Sequence, residues 1–226
     1  MNSPDADTLA NLEAYELWAA SYPPLPHNPL MRAEQMAMLA LWPDLRGACA
    51  LDLASGSGRY ARLLEERGAA WVVATDLSPA MLKRAAVVHR VRADMNCLPF
   101  RSAAFDVLVC GLAVGHAARL DLWMQEVARV LVQGGVAVYS DFHPDAAAAG
   151  MTRSFIDQAQ RKHTLLHSRH ELAAHRAAAE AAGMELEEAR VLRVGEELTE
   201  PFDGSAAFYS RWQGLPVVQV LRVRKR

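Results

Sequence analysis

Two aspartates on either side of a glycine-containing turn form the segment of this sequence best suited to bind a ligand. Asp52 lies in the short apolar run 48–53, which predicts a buried strand that ends at the turn. A helix is predicted over 58–67 and a second strand over 70–75, followed at once by Asp76. An acid at the tip of the second strand of such a unit is placed to bind the two hydroxyls of a ribose. The pattern therefore predicts a nucleoside-containing cofactor.

The residues of the turn argue against a dinucleotide. The fingerprint for a pyrophosphate is G-x-G-x-x-G, whose third glycine allows close packing of the helix on the strand. This sequence has Gly56 and Gly58, but Ala61 and Arg62 stand where the third glycine is expected. A carboxylate at Asp52 would repel a pyrophosphate and attract an ammonium group. S-adenosylmethionine carries an ammonium group and a ribose but no phosphate, so the chemistry favours this methyl donor.

Further motifs follow the turn in a fixed order. They are the segments 51–60, 73–82, 93–95 with 98–100, 105–110, and 126–131 with Gly134 and Gly135. With these motifs the chain resembles the class I S-adenosylmethionine-dependent methyltransferases of the ubiquinone/menaquinone-methyltransferase-like (type 11) family, over roughly residues 15–183. The resemblance implies an enzyme of the methyltransferase class that uses S-adenosylmethionine as its cofactor.

The resemblance implies that the methionine part of the cofactor lies on the glycine-containing turn. Asp52 would be an acidic anchor beneath a loop that Ala54, Ser55 and Gly56 form against the methionine part. Gly111, just past the fourth strand, would lie near the methionine part or the sulfur. The family often has glycine at the position of Ala54, although alanine is also found there.

The nucleoside part would be held by residues farther along the chain, again by resemblance. Asp76 would bind the ribose hydroxyls, and Leu77 and Met81 would border the adenine. Asp94 would accept a hydrogen bond from the adenine amino group, while the amide of Met95 supports the ring edge.

Aromatic residues near the N terminus form one face of a helix predicted over 9–20. Tyr15, Trp18 and Tyr22 recur at three- and four-residue spacing, so they lie on the same side. In the family such a segment covers the cofactor as a lid, with Tyr22 as the implied contact. Simple packing of this face on the domain is the alternative. We interpret residues 1–45 as a helical lid.

Two histidines are candidates for catalysis. His116 follows the fourth strand and is the first candidate for a general base, because a neutral imidazole can take a proton near pH 7; it could instead cap a helix or line a wall. His143 and Asp141, at the tip of the fifth strand, are further pocket candidates, and Asp141 could also be a structural acid. Arg153 could pair with a substrate carboxylate, since its planar fork suits that geometry, or be a solvated loop charge.

The segment after the fifth strand also contains His163, His167, His170 and His175. A capping box formed by Ser168 and Glu171 predicts a helix that runs to Ala182. The first two histidines then lie outside the helix, and the last two are not spaced for one helical face. No metal site is therefore expected.

The whole chain is predicted to alternate strands with helices. Strands are predicted over 48–53, 70–75, 90–94, 105–110, 135–142, 186–194 and 216–224, and helices over 30–41, 58–67, 79–88 and 119–132. This alternation predicts an α/β, Rossmann-like fold in which a seven-stranded, mostly parallel sheet has helices on both faces.

Two segments modify this plan within a chain that we interpret as one domain, 1–226. The polar segment 143–168 is predicted to be an insertion on the substrate side. The last two strands form an antiparallel pair joined by a long loop, in which Tyr209 and Trp212 could wall the acceptor pocket.

Composition limits the partners. The chain has 226 residues, is 52% hydrophobic and carries a formal net charge of −2, so it has no basic footprint for nucleic acid. We expect a soluble, cytoplasmic protein with no membrane partner, because the sequence has no apolar leader and no run of about 20 apolar residues. Its cysteines lack C-x-x-C spacing and are expected to be reduced.

We therefore expect methyl transfer to an oxygen, nitrogen or activated carbon of a small-molecule acceptor. An RNA or protein methyltransferase, and a non-catalytic S-adenosylmethionine-binding module, are the alternatives. The sequence leaves the acceptor and the oligomeric state open.

Overall fold

The computed structural model describes residues 6–195, Leu198 and residues 206–226, which form an α/β fold with two sheets. Its strands are β1 (Cys49–Leu53), β2 (Trp71–Asp76), β3 (His89–Arg92), β4 (Phe105–Cys110), β5 (Leu131–Phe142), β6 (Ser154–Ile156), β7 (Lys162–Thr164), β8 (Met184–Arg193) and β9 (Pro216–Lys225). Its helices are α1 (Ala6–Trp18), α2 (Pro29–Leu41), α3 (Arg59–Glu66), α4 (Pro79–Leu82), α5 (Leu120–Val130), α6 (Pro144–Ala148), α7 (Leu172–Ala181) and α8 (Ala206–Trp212), with a 3-10 turn at Val114–His116.

The main sheet has seven strands in the order β3-β2-β1-β4-β5-β9-β8. The first five of these strands are parallel to one another, whereas β9 is antiparallel to both β5 and β8. The prediction of a seven-stranded, mostly parallel sheet that an antiparallel pair closes is confirmed. The order reverses next to β1, so the carboxyl ends of β1, β2 and β4 meet at one edge, where such folds bind ligands.

Helices cover both faces of this sheet because successive strand residues point to opposite sides. Ala50 of β1 packs in a cluster with Met38 of α2 and Leu64 of α3. Its neighbour Leu51 packs on the opposite face in a cluster with Trp123 of α5 and with residues of α7. Both faces of β1 are therefore buried, which explains its continuous apolar sequence.

The helix predicted over 79–88 is much shorter in the structure. It comprises only Pro79–Leu82, after which the chain turns. The guanidinium of Arg90 donates to the carbonyls of Leu82 and Ala85, both at 3.3 Å, and so satisfies groups that a continuing helix would have bonded. The β-branched residues at 87 and 88 also disfavour helix, so the predicted length was wrong.

The region after β5 differs from the predictions in three ways. The insertion is not wholly irregular, because β6 and β7 pair as a small antiparallel hairpin. The capping-box prediction was wrong: α7 begins at Leu172 with Glu171 in the cap position, and no side chain caps it. Ser168 instead donates its backbone N–H to the carbonyl of Gly115 at 2.6 Å. The connection between β8 and β9 includes helix α8.

No helix among the described residues is long and apolar enough to cross a bilayer. Within the same residues, no group of three or more His, Cys, Asp and Glu side chains is arranged to hold a metal ion.

Candidate functional site

A cavity of about 340 Å³ lies at the edge where β1, β2 and β4 end. Most of the residues predicted to contact the cofactor line it: Tyr22, Asp52, Ala54, Ser55, Gly56, Asp76, Leu77, Asp94, Met95 and Gly111. Met81, which is 1% exposed, is not among the residues that line it. Its backbone N–H donates to the hydroxyl of Ser78, which caps α4.

The glycine-containing turn is bonded to the tip of β2. Both Ala54, with a φ of 53°, and Gly56, with a φ of 54°, adopt the left-handed conformation. The N–H of Gly56 donates to Oδ2 of Asp76 at 2.8 Å, and the N–H of Ser78 donates to Oδ1 at 2.9 Å. These bonds fix the Asp76 carboxylate at the cavity wall and leave further lone pairs on each oxygen for hydroxyl donors.

Three carboxylates give this part of the cavity, which we call the cofactor end, an acidic character. Oδ2 of Asp52 accepts from the N–H of Ala61 at 2.7 Å, and burial raises the pKa of Asp52 to about 7. Burial also raises the pKa of Asp76. Asp94 is held by Asn96, whose backbone and side-chain N–H groups both donate to Oδ1 at 2.9 Å.

Gly111 brings the backbone after β4 into close contact with a buried tyrosine. A Cβ atom at this position would lie 2.2 Å from Cε2 of Tyr60, whose side chain is 3% exposed. No other residue fits here without displacing that ring. The sequence predicted a functional glycine, whereas the structure adds a packing reason for it.

A buried ion pair beside the cofactor end was missed at the sequence level. Nη2 of Arg59 donates to Oε2 of Glu34 at 2.8 Å, and the Glu34 side chain is fully buried. Oε1 of Glu34 accepts from the hydroxyl of Ser140 at 2.6 Å, and that hydroxyl accepts from the N–H of Leu112 at 2.8 Å. A signal was present, because Glu34 lies three residues after Met31 and therefore on the apolar face of α2.

Helix α1 covers the cavity with its aromatic face. Tyr15 and Trp18 stack with ring centres 5.9 Å apart, and Trp18 meets Tyr22 edge-on at 4.7 Å. Trp18 also stacks on Phe155 of the hairpin at 4.6 Å. A further contact that sequence reasoning missed is that of Glu16, which accepts from the hydroxyl of Ser78 at 2.5 Å.

His116 lines the same cavity, at what we call the acceptor end. Nε2 lies 3.0 Å from the hydroxyl of Tyr15 and 3.4 Å from Nη1 of Arg153, while Nδ1 lies 3.2 Å from the carbonyl of Leu166. Because Arg153 has only donors, Nε2 is an acceptor in that contact, while Nδ1 meets both the carbonyl of Leu166 and, at 3.0 Å, the side-chain N–H of Asn11. The ring keeps some accessible surface, yet burial, and then the charge of Arg153, lower its pKa to about 3.

Other candidates from the sequence lie outside the cavity lining. The side chain of His143 caps α6 by accepting from the N–H of Asp145 at 3.2 Å, so its predicted catalytic role has no geometric support. Asp141 is 1% exposed and accepts from the N–H of Gly115 at 3.0 Å, as the structural alternative expected. Tyr209 and Trp212 pack against the core cluster of α2 and α3 instead of walling the pocket.

Comparisons with known proteins find methyltransferases that are similar to this chain. Residues 51–139 match the family model of a methyltransferase domain. The chain is 36% identical over 124 residues to malonyl-[acyl-carrier protein] O-methyltransferase of Enterobacter lignolyticus, an alignment that covers 53% of this chain and 49% of that protein. The chain spans about half the length, or less, of the curated relatives that it matches.

Solved structures share the fold at low sequence identity. An S-adenosylmethionine-dependent methyltransferase from Mesorhizobium loti has a TM-score of 0.68 at 22% identity, covering 85% of this chain and 98% of that chain. The [4+2]-cyclase SpnF has a TM-score of 0.72 at 17% identity, covering 100% of this chain and 99% of that chain. At these identities the likeness establishes the fold alone.

The match over residues 51–139 supports the resemblance of the motifs to the class I S-adenosylmethionine-dependent methyltransferases of the type 11 family. The chemical groups of S-adenosylmethionine, the cofactor of that family, match the side chains found in this cavity. Asp52, Asp76 and Asp94 offer acceptors for an ammonium group, ribose hydroxyls and an adenine amino group, while the charge of Arg59 is matched by Glu34. The carboxylates of this lining would repel the negative charge of a pyrophosphate.

Proposed function

We propose that this protein transfers the methyl group of S-adenosylmethionine to a small-molecule acceptor. The observation that carries the proposal is that one cavity joins an acidic cofactor end to an aromatic acceptor end. Asp52 and Asp76 would hold the methionine and ribose parts at the strand tips. The donor supplies an activated methyl group, so the chain's own task is mainly to hold the acceptor near it.

The size and cover of the cavity support a small acceptor. A volume of about 340 Å³ is at the lower end for ligand pockets, and it has to hold the cofactor as well. Trp18 lines the cavity and stacks on Phe155, so that α1 and the hairpin are in contact beside it. A folded RNA or protein would need an open approach to the methyl group.

Helix α1 is proposed to act as a lid, as the aromatic face predicted. Movement of the lid would have to break the hydrogen bond at 2.8 Å that Asn11, which lines the cavity, donates to the carbonyl of Leu166. Hydrogen exchange should slow over residues 10–22 when S-adenosylhomocysteine is added, because bound ligand disfavours opening. Equal exchange with and without ligand would mean that α1 is a fixed part of the core.

Transfer of label from methyl-labelled S-adenosylmethionine tests the function itself. The purified protein is incubated with the labelled donor and a cell extract separated into small-molecule, protein and RNA fractions. A malonyl thioester is tested as a further acceptor, because a relative acts on malonyl-acyl carrier protein, as its name states. Label in the small-molecule fraction supports the proposal, whereas label confined to protein or RNA contradicts it.

Calorimetry with S-adenosylmethionine separates the remaining alternative. A protein that binds the donor but labels none of these fractions would be a non-catalytic binding module. The variant Asp76→Ala is the matched control, since it removes the proposed ribose contact and leaves the acceptor end intact.

A further inference from the structure

Arg153 is held firmly at the acceptor end by neutral groups. Nη1 donates to the carbonyl of Leu112 at 2.8 Å, and Nη2 donates to the hydroxyl of Tyr15 at 3.4 Å. The centre of the guanidinium lies 4.9 Å from the centre of the Phe142 ring. A carbonyl, a phenol and an aromatic ring orient the guanidinium without neutralising its charge.

The other arginine of the cavity shows the difference. Arg59 is paired with the buried carboxylate of Glu34 at 2.8 Å. Within residues 6–195, Leu198 and 206–226, no carboxylate forms an ion pair with Arg153 at 4.0 Å or less. A guanidinium keeps its charge at any physiological pH, and its planar fork matches a carboxylate. Arg153 is therefore a cation at the cavity wall that forms no ion pair within the described residues. Its charge opposes the rise that burial causes in the pKa of Asp141, but that carboxylate is 1% exposed and accepts from the N–H of Gly115.

The groups around Arg153 are poorly suited to removing a proton from an acceptor. The lone pair on Nε2 of His116 already accepts from Tyr15 and Arg153, and the pKa of that histidine is lowered to about 3. Burial raises the pKa of Tyr15 above its usual value of 10.0. A nucleophile that binds beside these side chains should therefore arrive already ionised.

We propose that the acceptor is a carboxylate bound by Arg153, and that this carboxylate receives the methyl group to give a methyl ester. The inference rests on the proposed function and names its acceptor class. A carboxylate oxygen forms a bond to the methyl carbon while the carbon–sulfur bond breaks and its electron pair goes to sulfur. The negative charge of the acceptor and the positive charge of the sulfonium disappear together, and no proton has to be removed. Arg153 determines specificity in this scheme.

Binding measured without turnover tests the inference. Calorimetry with saturating S-adenosylhomocysteine would compare 3-phenylpropanoate, its neutral analogue 3-phenylpropanamide, and malonyl-pantetheine, whose carboxylate is attached to a thioester. The apolar side chains of Phe142, Met151 and Leu165 offer contacts for the body of such ligands. We expect at least one carboxylate to bind about 10- to 100-fold more tightly than the amide, as expected for charge-assisted hydrogen bonds.

Substitutions of Arg153 assign that preference to one side chain. Arg153→Met should remove the preference for carboxylate, while Arg153→Lys should keep part of it, because the charge remains but the fork is lost. The control Arg169→Met removes the same charge from an exposed position nearby and should leave the preference unchanged. Affinity for S-adenosylhomocysteine, measured for each variant, reports whether the cavity is intact.

The outcomes separate this inference from the function on which it rests. If wild-type protein binds S-adenosylhomocysteine but neither carboxylate, or binds the amide equally well, the carboxylate acceptor is wrong and the methyltransferase proposal stands. If Arg153→Met keeps the preference and the cofactor affinity, another residue recognises the anion. If wild-type protein fails to bind S-adenosylhomocysteine, the proposed function itself is wrong.

Discussion

The two ends of the cavity are built in different ways. The cofactor end comes mainly from the continuous stretch 52–111, whose strands are neighbours in the sheet, and most of its polar contacts use the backbone. The acceptor end is assembled from three separated parts, with α1, the turn after β4 and the insertion meeting around His116. The proposed cofactor site can thus be encoded locally, whereas the proposed acceptor site depends on long-range packing.

Glu34 connects the two ends, so its loss should have the largest effect. Its carboxylate binds Arg59 at the cofactor end and, through Ser140, the backbone of Leu112 at the acceptor end. Glu34→Ala leaves the guanidinium buried and unpaired, which should cost about 3–5 kcal/mol of the free energy of unfolding. Urea unfolding followed by circular dichroism measures this loss.

Glu66→Ala provides the matched control on the surface. Glu66 pairs with Arg62, and their side chains are 52% and 39% exposed. Its removal should change stability by less than about 0.5 kcal/mol. Similar losses in both variants would show that the buried pair does not hold the two ends together.

Asp76→Ala should disable the cofactor end alone. Each charge-assisted hydrogen bond to a ribose hydroxyl contributes about 1.5–3 kcal/mol, so we expect affinity for S-adenosylhomocysteine to fall about tenfold to a few hundredfold. Asp76→Asn should have a milder effect, because the amide oxygen still accepts one bond. Calorimetry measures the affinity of both variants for S-adenosylhomocysteine. An unchanged affinity in Asp76→Ala would mean that Asp76 does not bind the ribose.

His116→Gln examines the acceptor end through the pH dependence of stability. The pKa of His116 in the folded protein is about 3, below the usual 6.5. Below about pH 6.5 the unfolded chain therefore binds a proton at this histidine, whereas the folded chain does not. Stability due to the neutral ring is therefore complete above pH 6.5 and is lost as the pH falls toward 3. The free energy of unfolding should drop faster with acid in wild type than in His116→Gln, by up to about 1.4 kcal/mol per pH unit.

Urea unfolding at pH 7, 6 and 5 measures this difference in slope. Parallel pH dependences would mean that His116 titrates normally in the folded protein and is available as the general base that its position predicted. In that case the turnover of His116→Gln should also be lower, by the 10²–10⁴-fold typical of a lost base.

Ala54→Gly should have the smallest effect and concerns only the turn at the cofactor end. Relief of the left-handed strain at a φ of 53° is partly offset by the greater freedom of glycine in the unfolded chain. We expect a gain of about 0.5 kcal/mol and little change in cofactor affinity. Ala103→Gly, at a φ of 51° outside the cavity lining, should give the same gain. A marked loss of affinity in Ala54→Gly alone would assign a cofactor contact to the methyl group.

The sheet and the cofactor end could be predicted because their signals are local. Buried parallel strands are apolar along their whole length, and the predicted ligand residues Asp52, Asp76 and Gly111 stand at or next to strand ends. The predictions failed where the outcome depended on distant partners. The helix predicted after Pro79 ends at Leu82, where Arg90 donates to the carbonyls of Leu82 and Ala85. The adenine contact of Met81 stays a prediction, since its side chain is not among those that line the cavity.

The sequence by itself determined the fold class, through the alternation of strands and helices, and it singled out the glycine-containing turn with Asp52 and Asp76 from their spacing within one βαβ unit, whereas Asp94 came from the family resemblance. Only the tertiary structure decided the acceptor end. Asn11 and Leu166 are 155 residues apart yet share hydrogen bonds, and Arg153 meets Tyr15 across 138 residues. No local pattern records such contacts, because the partners of a side chain there depend on how the lid and the insertion pack over the sheet.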